Sequence, residues 1–254
     1  MLFDLTHILY IVISLVITIG FLIAFTRFKS PKAKNIILLI IGAVTMVIHV
    51  SSIWVEFLIR GSAQMPSYFL FPIYFCNLNM LFLFICGIIK NKDSVSYRWF
   101  AVFTAYGSII GGLVSLFYPD YYVNYPHIWD WGVLKSFLSH STMLLGGIYL
   151  FTGGFVKIRV FNMLPLTAGL LFCGAVGFLT NLLFAVCGLS SPNAMYLQAT
   201  ALDGVPFFNA YGLALLIVLL VFTFTLVWEF FACPKNERWY DHLKRKEFKK
   251  FILQ

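Results

Sequence analysis

His7-Ile8-Leu9-Tyr10-Ile11-Val12-Ile13-Ser14-Leu15-Val16-Ile17-Thr18-Ile19-Gly20-Phe21-Leu22-Ile23-Ala24-Phe25-Thr26 runs straight into Arg27-Phe28-Lys29-Ser30-Pro31-Lys32. The first stretch contains no Asp, Glu, Lys or Arg; the second holds three cations and a proline. About 20 apolar residues wound as an α-helix span the hydrocarbon core of a bilayer, and a basic, proline-bearing break is how such a span ends. The same alternation recurs along the chain. Apolar runs occupy 7–26, 36–59, 69–89, 99–118, 134–153, 161–187 and 207–232, with breaks such as Pro119-Asp120 between them. The expected fold is all-α: a polytopic membrane protein of seven transmembrane helices.

Composition supports this reading. The 254 residues have a mean hydropathy of +0.89, with 61% hydrophobic and 11% charged. A soluble domain of this size could not hide that much apolar surface, so lipid must be part of the solvent. The length leaves room for one integral membrane domain, 1–233, and a short tail, 234–254. The net charge of +8 is concentrated in short loops and the tail rather than on a folded basic face, so nucleic acid is not expected as a partner. The cysteines Cys76, Cys86, Cys173, Cys187 and Cys233 show no CxxC and no metal-like spacing, so neither a disulfide framework nor a zinc site is expected. Asp4 precedes the first run and no Lys or Arg does, which reads as a first span rather than a signal peptide.

The cations set the orientation. The loops after the first, third and fifth runs, with the tail, hold 16 of the 18 Lys and Arg residues; the other side has only Arg60 and Lys135. Basic loops face the cytoplasm, which places the N-terminus outside and the tail inside. The outer loop Pro119–Trp131 is rich in Tyr and Trp, residues that favour the membrane interface. The tail, with Lys244, Arg245, Lys246, Lys249 and Lys250 around Phe248 and Phe251, reads as an amphipathic surface helix drawn to anionic lipids. A bacterial cell membrane is the expected location.

Polar side chains within the runs are the functional pointers, because each costs free energy in hydrocarbon. His49, Ser52 and Glu56 lie on one face of the second run. Cys76 and Asn79 share a face of the third, with Asn77 beside them. His140 and Ser141 lie in the fifth and Asn181 in the sixth. Counted from the outer ends at Phe69 and Leu134, Cys76 and His140 both sit roughly 9–11 Å deep. Each has a plain structural reading: Asn77, Asn79 and Asn181 as interhelical hydrogen-bonding residues, Gly107, Gly111 and Gly112 as close-packing positions. The chemical reading joins a thiol to a base, since histidine can activate cysteine for acyl transfer with Asn or Ser donors at the oxyanion.

Several pieces look like a known family. These are Phe71-Pro72-Ile73-Tyr74-Phe75-Cys76-Asn77-Leu78, Tyr106-Gly107-Ser108-Ile109-Ile110-Gly111-Gly112 through Pro119, Phe137-Leu138-Ser139-His140, and Pro192-Asn193-Ala194-Met195-Tyr196-Leu197. In order and spacing they resemble the transmembrane protein 164 (YwaF-like) family, integral membrane proteins described as phospholipid acyltransferases. The resemblance implies that Cys76 accepts the acyl chain, that His140 is its base, and that Asn193 helps to build the site. Tyr74 stands where the family often has His, and Ser141 where Gly is common. An outer-half site would take its acyl chain from a membrane phospholipid rather than cytoplasmic acyl-CoA. The expected partners are therefore a phospholipid donor and a lysophospholipid, or another lipid amine or hydroxyl, as acceptor, with no cofactor. The alternatives are a small-molecule transporter or permease, against which stands the lack of an internal repeat, and a membrane sensor. Residues 207–232 contain no lysine, which excludes a retinal Schiff base in the last run.

Overall fold

The computed structural model describes residues 3–55, 58, 73–119, 122–123, 127–201 and 205–244. Glu56, the outer ends of the second and third runs (Phe71 and Pro72 included) and the basic cluster 245–254 lie outside the described residues. Those described form helices and no strand. α1 (Leu5–Phe25), α2 (Pro31–Trp54), α3 (Phe75–Ile88), α4 (Val95–Phe117) and α5 (Trp131–Thr152) come first. A 3-10 turn, Val160–Asn162, leads into α6 (Met163–Val186); α7 (Ala210–Ala232) and a short α8 (Trp239–Lys244) follow. Five of these segments, α1, α2, α4, α7 and Val160–Val186, are long and apolar enough to cross a membrane.

Helix ends depart from the apolar runs in a consistent way. α2 begins at Pro31 rather than 36, α4 at Val95 rather than 99 and α5 at Trp131 rather than 134. Ser30, Ser94 and Asp130 cap them, accepting hydrogen bonds from the N–H groups of Ala33, Tyr97 and Gly132. A polar first turn is invisible to an apolar count but is what a capped helix shows on leaving the hydrocarbon. α3 departs the other way, starting at Phe75 rather than 69. Pro72 can give no N–H to a helix ladder, a break the apolar count ignores.

The packing is inside-out by the standard of a soluble protein. α1 buries His7, Ile11, Ser14 and Thr18 and turns Ile13, Val16, Ile17 and Phe21 outward. α7 likewise buries Val221, Thr225 and Glu229 and exposes Leu219, Phe224 and Phe231. Only an apolar solvent makes that arrangement favourable. α5 lies at the centre, with α4, α2, α1 and α3 packed on it. Thirteen of its 22 residues are buried, and enclosure by other helices lets it be the least apolar of the long ones. α2 meets α3 closely at Gly42, where a β-carbon would stand 2.7 Å from Phe84 Cα.

Two carboxylates tie the ends down. Glu229, fully buried, accepts from the N–H groups of Val160 at 2.6 Å and Trp239 at 2.9 Å, joining α7 to the start of α6 and to α8. At the other face Asp4 caps α1 through the His7 N–H and accepts from the Tyr122 hydroxyl at 2.8 and 2.9 Å. The His7 N–H and the Tyr122 hydroxyl together hold the Asp4 carboxyl down to about 2. A carboxyl depressed on folding stabilises above its unfolded value and stops doing so as pH falls through the folded one. The melting temperature of the wild type should therefore exceed that of Asp4→Asn at pH 6, and the gap should shrink from about pH 4 and close near pH 2. A gap independent of pH would show that the clamp does not depend on this charge.

Candidate active site

Cys76 is the second residue of α3, half-buried in its first turn. The N–H groups at the start of a helix have no intrahelical acceptor, and those of Cys76 and Asn77 face the sulfur. The thiol donates to Asn77 Oδ1 at 3.5 Å. One turn further on, Asn79 is fully buried; its Nδ2 donates to the Phe75 carbonyl at 2.9 Å, while its Oδ1 has no hydrogen-bond partner.

Small residues of α4 bring this turn against α5. A β-carbon on Gly111 would stand 3.2 Å from Met143 Cε and 3.7 Å from Cys76 Cβ. One on Gly112 would stand 2.9 Å from Leu144 Cβ and 3.1 Å from the His140 carbonyl oxygen. A β-carbon on Gly107 would collide with the Asn79 side chain. α3 and α4 thus run antiparallel with Cys76 opposite Gly111 and Asn79 opposite Gly107, and the neighbouring Gly112 rests on the His140–Leu144 turn. Cys76 and His140 do lie near one level, but not for the reason given by counting residues. His140 is nine residues into α5, about 13 Å from its start, whereas α3 begins at that depth inside the bundle.

His140 is buried, and its Nδ1 contacts the Ser136 carbonyl at 2.6 Å. That bond fixes the tautomer: Nδ1–H donates, and Nε2 carries the lone pair. Nε2 is itself buried and has no hydrogen-bond partner. The two catalytic candidates are not hydrogen-bonded to each other. Lys135, also buried in α5, lies within electrostatic range of Cys76, His140 and His49, and His49 on α2 is within range of His140. Sequence reasoning treated Lys135 only as an orientation marker. Its signal was there, as one of just two cations outside the basic loops and tail, five residues before His140.

Asn181, Asn193 and Tyr74 form a second group beside the first. Asn181 Oδ1 accepts from the Ala194 N–H at 2.8 Å, and its Nδ2 donates to the Ala194 carbonyl. Asn193 Oδ1 accepts from the N–H groups of Gln198 and Ala199 at 3.0 Å, so its side chain staples the loop to itself. Asn193, Met195 and Tyr196 all have left-handed φ values of 50–55°, uncommon outside glycine and retained only when the surroundings impose them. The Met195 N–H donates to the Ile73 carbonyl at 2.8 Å, and the rings of Tyr196 and Tyr74 lie 5.5 Å apart. The loop therefore latches α6 to the entry of α3, two or three residues before the thiol. Among the described interactions none joins Asn181 or Asn193 to Cys76 or His140.

A multi-span helical membrane protein with a thiol and an oriented imidazole gathered around a pair of glycines is the class that fold and site define. The family model of the TMEM164 family matches residues 2–231, and the chain belongs to that family. No curated protein and no solved structure matches it.

Proposed function

We propose that this chain is a membrane-embedded acyltransferase that moves a fatty acyl chain between membrane lipids through a thioester on Cys76. The observation that carries the reading is His140 Nε2: a buried imidazole nitrogen, held in its basic tautomer by the Ser136 carbonyl and without a partner, on the helix that meets Gly111 and Gly112 opposite the thiol. Catalytic contacts commonly tighten only when substrate is bound, so the absent Cys76–His140 bond fits a resting state.

In the first half-reaction His140 Nε2 takes the thiol proton and Sγ attacks the ester carbonyl carbon of a phospholipid. The carbon–oxygen bond breaks and the leaving alkoxide takes the proton from His140, releasing lysophospholipid. In the second half-reaction an acceptor hydroxyl or amine gives its proton to His140 and attacks the thioester. The carbon–sulfur bond breaks and the proton returns to Sγ. The N–H groups at the start of α3 and the Lys135 ammonium are suited to hold the charge that develops on the carbonyl oxygen. Asn77 positions the thiol, and the loop of Asn193 holds the turn that carries it.

We read the fold as seven spans with the N-terminus outside, α3 and α5 completing the five strongly apolar segments, in a bacterial cell membrane. The charge distribution supports that orientation, and the alternation of seven helices supports the count. The test is chemical. Purified protein incubated with phospholipid and digested should yield a Cys76 peptide heavier by one acyl group, released by neutral hydroxylamine. Protein that turns over when acceptor is supplied, yet forms no such adduct when acceptor is withheld, would remove the thioester.

A further inference from the structure

A cavity of about 710 Å³ lies at the opposite end of the bundle from Cys76, the size of a small-ligand site. The helix joining the two places, α3, is 14 residues long, so they are about 20 Å apart. The lining includes six cations, Lys34, Lys90, Lys92, Arg98, Lys157 and Arg159, against one carboxylate, Asp93. Lys92 and Arg159 are among the cations committed elsewhere. Lys92 Nζ donates to the carbonyls of Cys86 and Ile89 at the end of α3, and Arg159 pairs with Glu237 at 2.8 Å. Lys34, Lys90 and Lys157 have no carboxylate partner among the described residues. The first turns of α2, α4 and α6 also open onto this cavity, through Lys34, Arg98 and Pro165, so three positive helix ends converge on it.

The wall is amphipathic. Trp99, Val102, Leu164 and Pro165 give it an apolar flank, and Leu164 is half exposed there. A freely soluble phosphate would have no use for that apolar flank, whereas a lipid presents an anionic head and acyl chains in that order. We propose that this basin is a specific binding site for an anionic phospholipid. Its phosphate lies among Lys34, Lys90 and Lys157, and its upper acyl carbons lie against Trp99 and Leu164. The lipid belongs to the leaflet on that side of the bilayer, the cytoplasmic one in the orientation proposed above.

The test is retention of lipid by the intact purified chain, read by native mass spectrometry. The probes are phosphatidylglycerol and phosphatidylcholine with identical acyl chains. Phosphatidylglycerol should be retained in strong preference, and Lys90→Gln/Lys157→Gln, both at exposed positions, should lower its retention about thirtyfold, as loss of two surface cations near an anionic group implies, while leaving phosphatidylcholine unchanged. Lys90→Arg/Lys157→Arg should restore it. Retention unaltered in the glutamine variant would overturn the proposal. So would its loss in Lys249→Gln/Lys250→Gln instead, which would assign the lipid to the tail. Displacement of the lipid by millimolar inorganic phosphate would overturn it too, by making the basin a site for soluble phosphate. All three outcomes leave the chemistry proposed at Cys76 untouched.

Discussion

Cys76→Ala should lower acyl exchange between phospholipid and lysophospholipid by about a thousandfold or more, the scale on which enzymes lose rate with their nucleophile. Alanine keeps the β-carbon that lies opposite Gly111, so the contact between α3 and α4 survives and a loss of rate reports on the sulfur alone. The variant should melt close to the wild type and still bind donor lipid. Exchange measured with a labelled acyl chain in proteoliposomes decides the matter: if rates agree within a few-fold, Cys76 is a packing residue and the catalytic reading ends. Serine is a sterner version of the same experiment. It preserves size and hydrogen bonding to Asn77 but gives up the acidity and polarisability that make a thiol useful here.

His140→Gln should slow exchange about a hundred- to ten-thousandfold, the usual contribution of a positioned general base. Glutamine can still donate toward the Ser136 carbonyl, so the turn of α5 need not rearrange, but it offers no basic nitrogen. If His140 acts only in the transition state, kcat and kcat/KM fall together and KM stays near its wild-type value. If His140 is merely structural, the loss follows the melting temperature and KM rises. Single-turnover acylation of Cys76 separates the two outcomes, because a missing base slows thioester formation itself. A variant that acylates Cys76 at the wild-type rate would exclude His140 from that step.

Much of this architecture was legible in the residues. Apolar runs of about 20 residues or more with basic breaks gave the all-helical membrane class, because a bilayer admits few other backbones. What stayed hidden was set by features an apolar count does not weigh. Ser30, Ser94 and Asp130 start helices in polar sequence, and only their caps reveal it. α3 starts late, which moved Cys76 from seven residues deep to the first turn and placed helix N–H groups beside its sulfur. In the sequence the thiol and the imidazole were paired by equal depth from assumed helix ends and by the family resemblance. The structure instead relates them through Gly111 and Gly112, residues read as packing positions and as part of the family resemblance. Lys135 was missed because its charge was used for orientation and not asked where its side chain would rest. The left-handed Met195 and Tyr196 have no signature in sequence, since Met and Tyr, unlike Asn193 beside them, are not residues that choose that conformation.

The polarity of α5 also fixes the order in which the molecule can be built. A segment carrying Lys135, Ser136, Ser139, His140, Ser141 and Thr142 gains little by partitioning into lipid alone. Its natural surroundings are the surfaces of α1, α2, α3 and α4, and all four precede it in the chain. Synthesis therefore delivers the scaffold before the helix that needs it, and His140 is placed only after the turn bearing Cys76 has been made.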